Sequence, residues 1–557
     1  MSRDRLYALG LDSSTQSLTG VVINPLDGVV VYEKSLDYAK DARLNRFGLD
    51  VRSYILPGRQ VGEADQPPEI YLASVDALFS DMVSDGFDCS RIAVVNVSGQ
   101  QHGHVYLSAA AARSYGGLLE EGGDGDLVAR LGGCFAYPTA PIWKTSDTAS
   151  QADDLREAAG GAGAMVELTG SDSPLRFTAA VIRRVGQQSQ SEYEATETVQ
   201  LISSLIPSIL TGNSRIPWDT GNACGTSLMN YRTRQFSDLL VGAVSDGLPG
   251  GREALDRKLP GLVSPDTIVG TVARYFVDRY RLDPGCRVCA GSGDNPQTKV
   301  LVRGDLLSLG SSFVNMSSTG SAARAQSDGV TDSRSVSAAF ANAMYDGVGR
   351  PFIFGCRTNG ALVWDLVRER CGLNRRDYAK SDATLSEARP GEVMFLWQPD
   401  SESFPPSAPF EPVRIGYSQA TIKLDYPGIV ESSLGLVHIF SRGFTHASGE
   451  PIYVSGSIAK VPEVLRRVAA IWKRPVVAIG DLGAALGAAV AGAHASASMD
   501  GVVWPSVEEL SAMVVPRSDP VDPRNDDVRA FYGADETHNG YLRRLEIEYR
   551  KAADIGN

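Results

Sequence analysis

Four times along this chain an apolar strand runs into a short turn of glycine, hydroxyl and acidic residues: Asp12-Ser13-Ser14-Thr15, Gly291-Ser292-Gly293-Asp294-Asn295, Gly310-Ser311-Ser312 and Ser455-Gly456-Ser457. Small residues after a strand let backbone N–H groups approach the oxygens of a phosphate, and an acid among them can hold a magnesium ion or accept a proton. Singly, each turn is ordinary turn chemistry. Four in one chain, two of them carrying aspartate, point to an α/β architecture whose strand ends form a site for an anionic small ligand.

The pattern around these turns defines the organisation. Tyr7–Leu11, Thr19–Ile23 and Val29–Tyr32 are apolar runs joined by polar turns, which predicts an antiparallel three-stranded start. Leu72, Val75, Leu78, Phe79, Met82 and Val83 fall on one helical stripe, and Ile92–Val97 follows as a buried strand ending at Ser98-Gly99. A second start appears at Asp305–Leu309, whose run into Gly310-Ser311-Ser312 echoes the run from Leu9 to Ser14. Ile452-Tyr453-Val454 is a further strand. Val461, Val464, Leu465, Val468 and Ile471 share one face of a helix with Pro462 in its first turn. Strand Val476–Ile479 and an Ala/Gly-rich helix from Leu482 to Ala493 complete the unit. At 557 residues the chain suits two or three domains. The expected division is residues 1–300, residues 301–500, and a C-terminal extension of 501–557 packed on the surface.

Charge and composition exclude several classes. With 53 Lys and Arg against 66 Asp and Glu the net charge is −13, and no basic block occurs, so neither a nucleic acid nor an anionic membrane is an expected partner. No stretch approaches the ~18 uninterrupted apolar residues of a membrane span, and a cytoplasmic protein is expected. Seven cysteines are an odd, sparse set that fits reduced thiols, and Cys286-Arg287-Val288-Cys289 lacks the second pair a zinc site needs. His102 and His104 have the wrong spacing for a helical metal pair. The P-loop lysine pattern and the protein-kinase catalytic loop are both missing from the sequence.

The motifs together resemble the FGGY carbohydrate kinases, and among them the eukaryotic-type xylulokinases, over most of the chain. Leu11-Asp12-Ser13-Ser14-Thr15-Gln16 resembles the first phosphate loop, and Ser98-Gly99-Gln100-Gln101-His102-Gly103 a sugar-binding loop. Leu168-Thr169-Gly170 with Arg176-Phe177-Thr178 is similar to a segment that supplies another sugar contact. Gly293-Asp294-Asn295-Pro296 resembles the catalytic Gly-Asp-Asn, Ser308–Ser312 the second phosphate loop, and Val454-Ser455-Gly456-Ser457 the adenosine loop. The chain departs from the family pattern in three places. Trp143-Lys144-Thr145 stands where Trp-x-Asp is usual, Ser311 where threonine is usual, and Ser455-Gly456-Ser457-Ile458 lacks a run of glycines. Asp147 is placed two positions on to replace the missing acid.

The resemblance implies two actin-like (ribonuclease H-like) α/β domains with a ligand cleft between them, and ATP-dependent phosphorylation of the terminal hydroxyl of a ketopentose. D-xylulose is the expected substrate. It implies Asp294 as the base, Asp12 as the magnesium ligand, and Gln101, His102, Arg176 and Asn295 as sugar ligands. Ser13, Ser14, Thr15, Gly310, Ser311, Ser312, Gly456 and Ser457 would hold nucleotide and phosphate. Rival readings are a kinase for another ketose or polyol such as ribulose or glycerol, and a catalytically weak sugar- or nucleotide-binding regulator. Monomer and homodimer both remain open.

Overall fold

The computed structural model describes residues 7–310, 313–319, 341–374, 377–446, 449–480, 483–497, 504–534 and 540–555. The chain divides into two compact units. Unit 1 holds Met1–Leu301, Met344–Pro351 and Gly483–Val514, and unit 2 holds Val302–Ala343, Phe352–Leu482 and Val515–Asn557.

Unit 1 begins with β1 (Tyr7–Ser13), β2 (Ser17–Asn24) and β3 (Val29–Asp37) as the antiparallel meander the sequence predicts. Helix α1 (Glu69–Ser84) buries Leu72, Val75, Leu78, Phe79 and Met82 of the expected stripe, and β4 (Ile92–Gly99) follows, buried along its whole length. Next come β5 (His104–Ser108), α2 (Thr178–Gln188), β6 (Thr196–Leu201), α3 (Ile202–Thr211), β7 (Trp218–Asp219) and the single turn α4 (Thr220–Ala223). Strands β8 (Ile268–Thr271), β9 (Arg287–Cys289) and β10 (Ser292–Gly293) lead into α5 (Asp294–Val300). The main sheet runs β8-β9-β4-β1-β2-β3, with β10 also pairing β4. Strand β4 is parallel to β1, β9 and β10. Central strands covered on both faces read as continuous apolar runs, which is why β1 and β4 are apolar rather than alternating.

Unit 2 repeats this topology. Strands β11 (Asp305–Leu309), β12 (Val314–Ser318) and β13 (Pro351–Arg357) form an antiparallel meander. After α6 (Ala361–Arg370) and α7 (Asp425–Ser441) come β14 (Ile452–Ser455), α8 (Pro462–Trp472) and β15 (Val476–Ala478). Strand β14 is parallel to β11, and β15 to β14. The order β13-β12-β11-β14-β15 in unit 2 matches β3-β2-β1-β4-β9 in unit 1. The short sequence echo between residues 9–14 and 306–312 therefore marks the same place in two copies of one fold, the end of the first strand of the meander. Two such α/β domains are the architecture the resemblance implies.

The Ala/Gly-rich helix lies elsewhere than expected. Helix α9 (Ala484–Ala497) belongs to unit 1, where it packs on β1, β4 and α5. The approach needs small residues on both sides: a Cβ on Gly10 would stand 1.8 Å from Ala485 O, and one on Gly487 would stand 1.9 Å from Gln297 O. The tail from Val515 belongs to unit 2. Its helix α10 (Tyr541–Ala552) buries Tyr541, Leu542, Leu545 and Tyr549, with hydrogen bonds between the Tyr541 and Ser432 hydroxyls (3.0 Å) and from Tyr549 OH to Gln398 Oε1 (3.0 Å). The expected boundaries at 300 and 500 thus meet the observed division only near Leu301. No helix among the described residues is long and apolar enough to cross a membrane.

Candidate active site

In unit 1 three parallel strand ends lie side by side. Asp12 of β1 is level with Ser98 of β4, and Ser98 is level with Ser292 of β10. Asp294 begins α5 directly after β10, so the register alone brings the two predicted aspartates to one edge of the sheet. Ser98 Oγ donates to Asp12 Oδ1 at 2.6 Å. Asp294 Oδ1 accepts from Asn295 N (2.8 Å) and Asn295 Nδ2 (3.2 Å). Both carboxylates are partly buried. Burial pushes the Asp12 carboxyl up to about 7, an effect the Ser98 hydrogen bond opposes and the nearby Asp294 charge reinforces. Burial likewise raises Asp294 to about 6.

The predicted sugar loop converges on the same edge. Asn295 Nδ2 donates to Gln101 Oε1 at 2.7 Å, which leaves Gln101 Nε2 a buried donor with no protein partner. His102 takes a left-handed backbone (φ 67°), a conformation uncommon outside glycine that often marks a functional constraint. Its ring stacks on Phe177 with centroids 4.5 Å apart, and its Nδ1 lies 2.6 Å from Gly225 O. A carbonyl only accepts, so Nδ1 carries the hydrogen and Nε2 is left as an acceptor. Burial first, and then the positive charge of Arg176, hold the imidazole down at about 3, so it is neutral at physiological pH. Thr178 Oγ1 and His104 Nδ1 both bind His102 O, at 3.2 and 2.9 Å.

The first loop is held from within. Ser13 is fully buried with its Oγ 2.9 Å from Tyr38 OH, and Ser14 Oγ is engaged with Ser17 O at 3.1 Å. Thr15 Oγ1 accepts from Trp143 Nε1 (2.7 Å) and donates to Gln100 Oε1 (3.2 Å), while Gln66 Nε2 binds Thr15 O (2.8 Å). Trp143 therefore fixes the phosphate-type loop. Asp147 is engaged in an ion pair with buried Arg184 at 2.5 Å, and Thr145 is buried with its hydroxyl on Ala64 O at 3.3 Å. Thr169, the last residue of the helix Ala162–Thr169, donates through Oγ1 to Met165 O and Ser171 O.

In unit 2 the register of β11 and β14 sets Ser308 beside Ser455, and their hydroxyls are 3.2 Å apart. The turns that follow, at Gly310 and Gly456, thus sit together. Gly456 has φ 102° and a Cβ there would stand 2.0 Å from Leu309 O, so no other residue fits. Ser457 opens a 3-10 turn, Ser457–Lys460. Ser311 and Ser312 lie outside the described residues.

Sequence reasoning missed Asp219, a fully buried carboxylate beside Ser292 that burial pushes up to about 7. Its only sequence signal is its place between an apolar strand and a helical turn, the signature of an N-cap. Among the described residues no group of three or more His, Cys, Asp or Glu is placed to hold a metal by itself. A magnesium ion does not need one, because it is commonly bound through one or two carboxylates with water and substrate phosphates. Asp12 fits that role: it is a hard oxygen donor, partly open, with one oxygen oriented by Ser98.

The chain is similar to known proteins over most of its length. Residues 138–300 match the FGGY family of carbohydrate kinases, N-terminal domain. D-xylulose kinase A of Aspergillus niger is 28% identical over 539 residues, covering 86% of this chain and 88% of that protein. The xylulose kinase of Rhodospirillum rubrum superposes with a TM-score of 0.76 at 16% identity, covering 98% of each chain. The glycerol kinase of Plasmodium falciparum with ADP gives 0.72 at 14% identity, covering 98% of this chain and 97% of that one. Sequence similarity thus runs over most of the chain, and the family match over residues 138–300.

Proposed function

We propose that the protein transfers the γ-phosphoryl group of ATP to the terminal hydroxyl of a ketopentose, converting D-xylulose to D-xylulose 5-phosphate. The observation that carries this reading is the position of Asp294, at the sheet edge beside Asp12, with the Asn295–Gln101 pair and neutral His102 converging on the same edge. Asp294 accepts the proton of the sugar hydroxyl as that oxygen attacks phosphorus. Chemistry of this type is mainly positioning and charge stabilisation. His102 Nε2 accepts a hydrogen bond from a sugar hydroxyl, and Gln101 Nε2 and Asn295 donate to sugar oxygens. Arg176 supplies a further sugar contact. In unit 2 the turns at Gly310 and Gly456, with Ser457, hold the nucleotide; Ser13, Ser14 and Thr15 form the phosphate loop of unit 1. Asp12 would hold a magnesium ion, whose charge would offset that of the phosphates. The similarity to D-xylulose kinase A over most of both chains supports the choice of ketose. The sparse set of seven cysteines in 557 residues supports a cytoplasmic location.

A coupled ADP-release assay across D-xylulose, L-ribulose, glycerol and aldohexoses tests the reading. Turnover highest on D-xylulose is expected. Equal or better efficiency on glycerol or L-ribulose would reassign the substrate, and ATP or sugar binding without any turnover would make the protein a regulator.

The pH profile supplies a second check. Asp294 acts as a carboxylate, the form present above its pKa, and burial has moved that pKa from 3.8 to about 6. kcat/KM should therefore fall about tenfold per pH unit below ~6. An acid limb that begins only near 4 would contradict a buried base.

A further inference from the structure

We infer that Asp219 is a positioning residue that holds the Asp294 strand and the His102 loop in register, an inference that rests on the kinase reading above. Asp219 ends β7, and its Oδ1 receives two hydrogen bonds. One comes from Asn222 N at 2.8 Å and caps α4; the other comes from Ser292 Oγ at 2.5 Å. Ser292 opens β10, two residues before Asp294. On the other side, α4 leads into the turn Cys224–Thr226, where Gly225 O receives the His102 Nδ1–H. Asn222 Nδ2 adds a bond to Ser203 Oγ at 2.8 Å, tying the same segment to the start of α3. One carboxylate thus joins the base to the sugar-binding imidazole across 73 residues of sequence in one direction, as the Ser292 contact shows.

The residue type argues for more than a cap. Asp219 is fully buried and its Oδ2 has no protein partner. A buried carboxylate is costly, whereas serine or asparagine caps a helix about as well. What serine could not do is accept both bonds at once while spanning to Ser292.

Four variants test the inference. Ser292→Ala leaves the helix cap intact and deletes only the link, so kcat is expected to fall about tenfold or more, as a misplaced reacting group loses rate steeply. The sugar KM should rise while the KM for ATP stays constant. Asp219→Ala should do the same more strongly, and the double variant should be no worse than Asp219→Ala alone, because both changes break one connection. Asp219→Asn keeps an acceptor for both donors and should recover most of the rate. Wild-type kcat and sugar KM in both Ser292→Ala and Asp219→Ala, or changes that track thermal stability and shift both substrates' KM equally, would overturn the inference. A crystal structure of Ser292→Ala needs no turnover: a displaced Asp294 carboxylate or His102 ring is expected, and unmoved positions would count against the link. If the intact protein turns over no sugar, the kinase reading fails while that structure still judges the positioning.

Discussion

Replacing Asp294 with alanine should lower kcat on the sugar by about 10²–10⁴-fold, the usual worth of a positioned general base. The apparent affinity for magnesium–ATP should stay near that of the intact protein, because the reading gives Asp294 no contact with the metal. Asp12→Ala should behave differently. Its defect lies in holding the ion on the phosphates, so raising magnesium should partly restore turnover. Titrating magnesium in steady-state assays of both variants separates the roles. Rescue of the Asp294 variant by metal, or near-normal turnover in it, would put the base elsewhere.

The largest effect on stability is expected at Gly10, two residues before Asp12 on β1. Its missing Cβ allows the backbone of α9 to lie on β1, and an added methyl would stand 1.8 Å from Ala485 O and 2.5 Å from Ala489 N. Both neighbours are backbone, so no side chain can turn aside, and relief requires the helix to move off the sheet. Gly10→Ala should cost ~3 kcal/mol or more, at or beyond the upper end of ordinary overpacking. Urea denaturation of the two proteins measures it. A loss within about 0.5 kcal/mol, the range of an ordinary surface change, would show that α9 is not seated there.

What the sequence discloses and what it hides follow from the reach of each signal. The meander of β1 to β3, the stripe of α1 and the proline start of α8 are local patterns, and the structure reproduces them. The aspartates were legible because four similar glycine- and hydroxyl-bearing turns follow strands and two of them carry an acid. Their juxtaposition was not, since it depends on the parallel register that sets Asp12, Ser98 and Ser292 side by side. Asp219 reads locally as a helix cap, and only its contact with Ser292 reveals the connection. Helix α9 shows the same limit: runs of Ala and Gly announce close approach to a neighbour but do not say which sheet is approached. Ser13 and Ser14 look alike in a polar turn, yet Ser13 is the last residue of β1 and turns into the core against Tyr38.

The central claim is that this sheet edge deprotonates the terminal hydroxyl of a ketopentose for phosphoryl transfer from ATP. Phosphorus and carbon NMR of the product formed from D-xylulose and ATP, run beside the Asp294→Ala protein, tests it most directly. The account predicts one phosphomonoester on the C5 oxygen from the intact protein and almost none from the variant in the same time. Phosphate at another position, or equal product from both proteins, would contradict it.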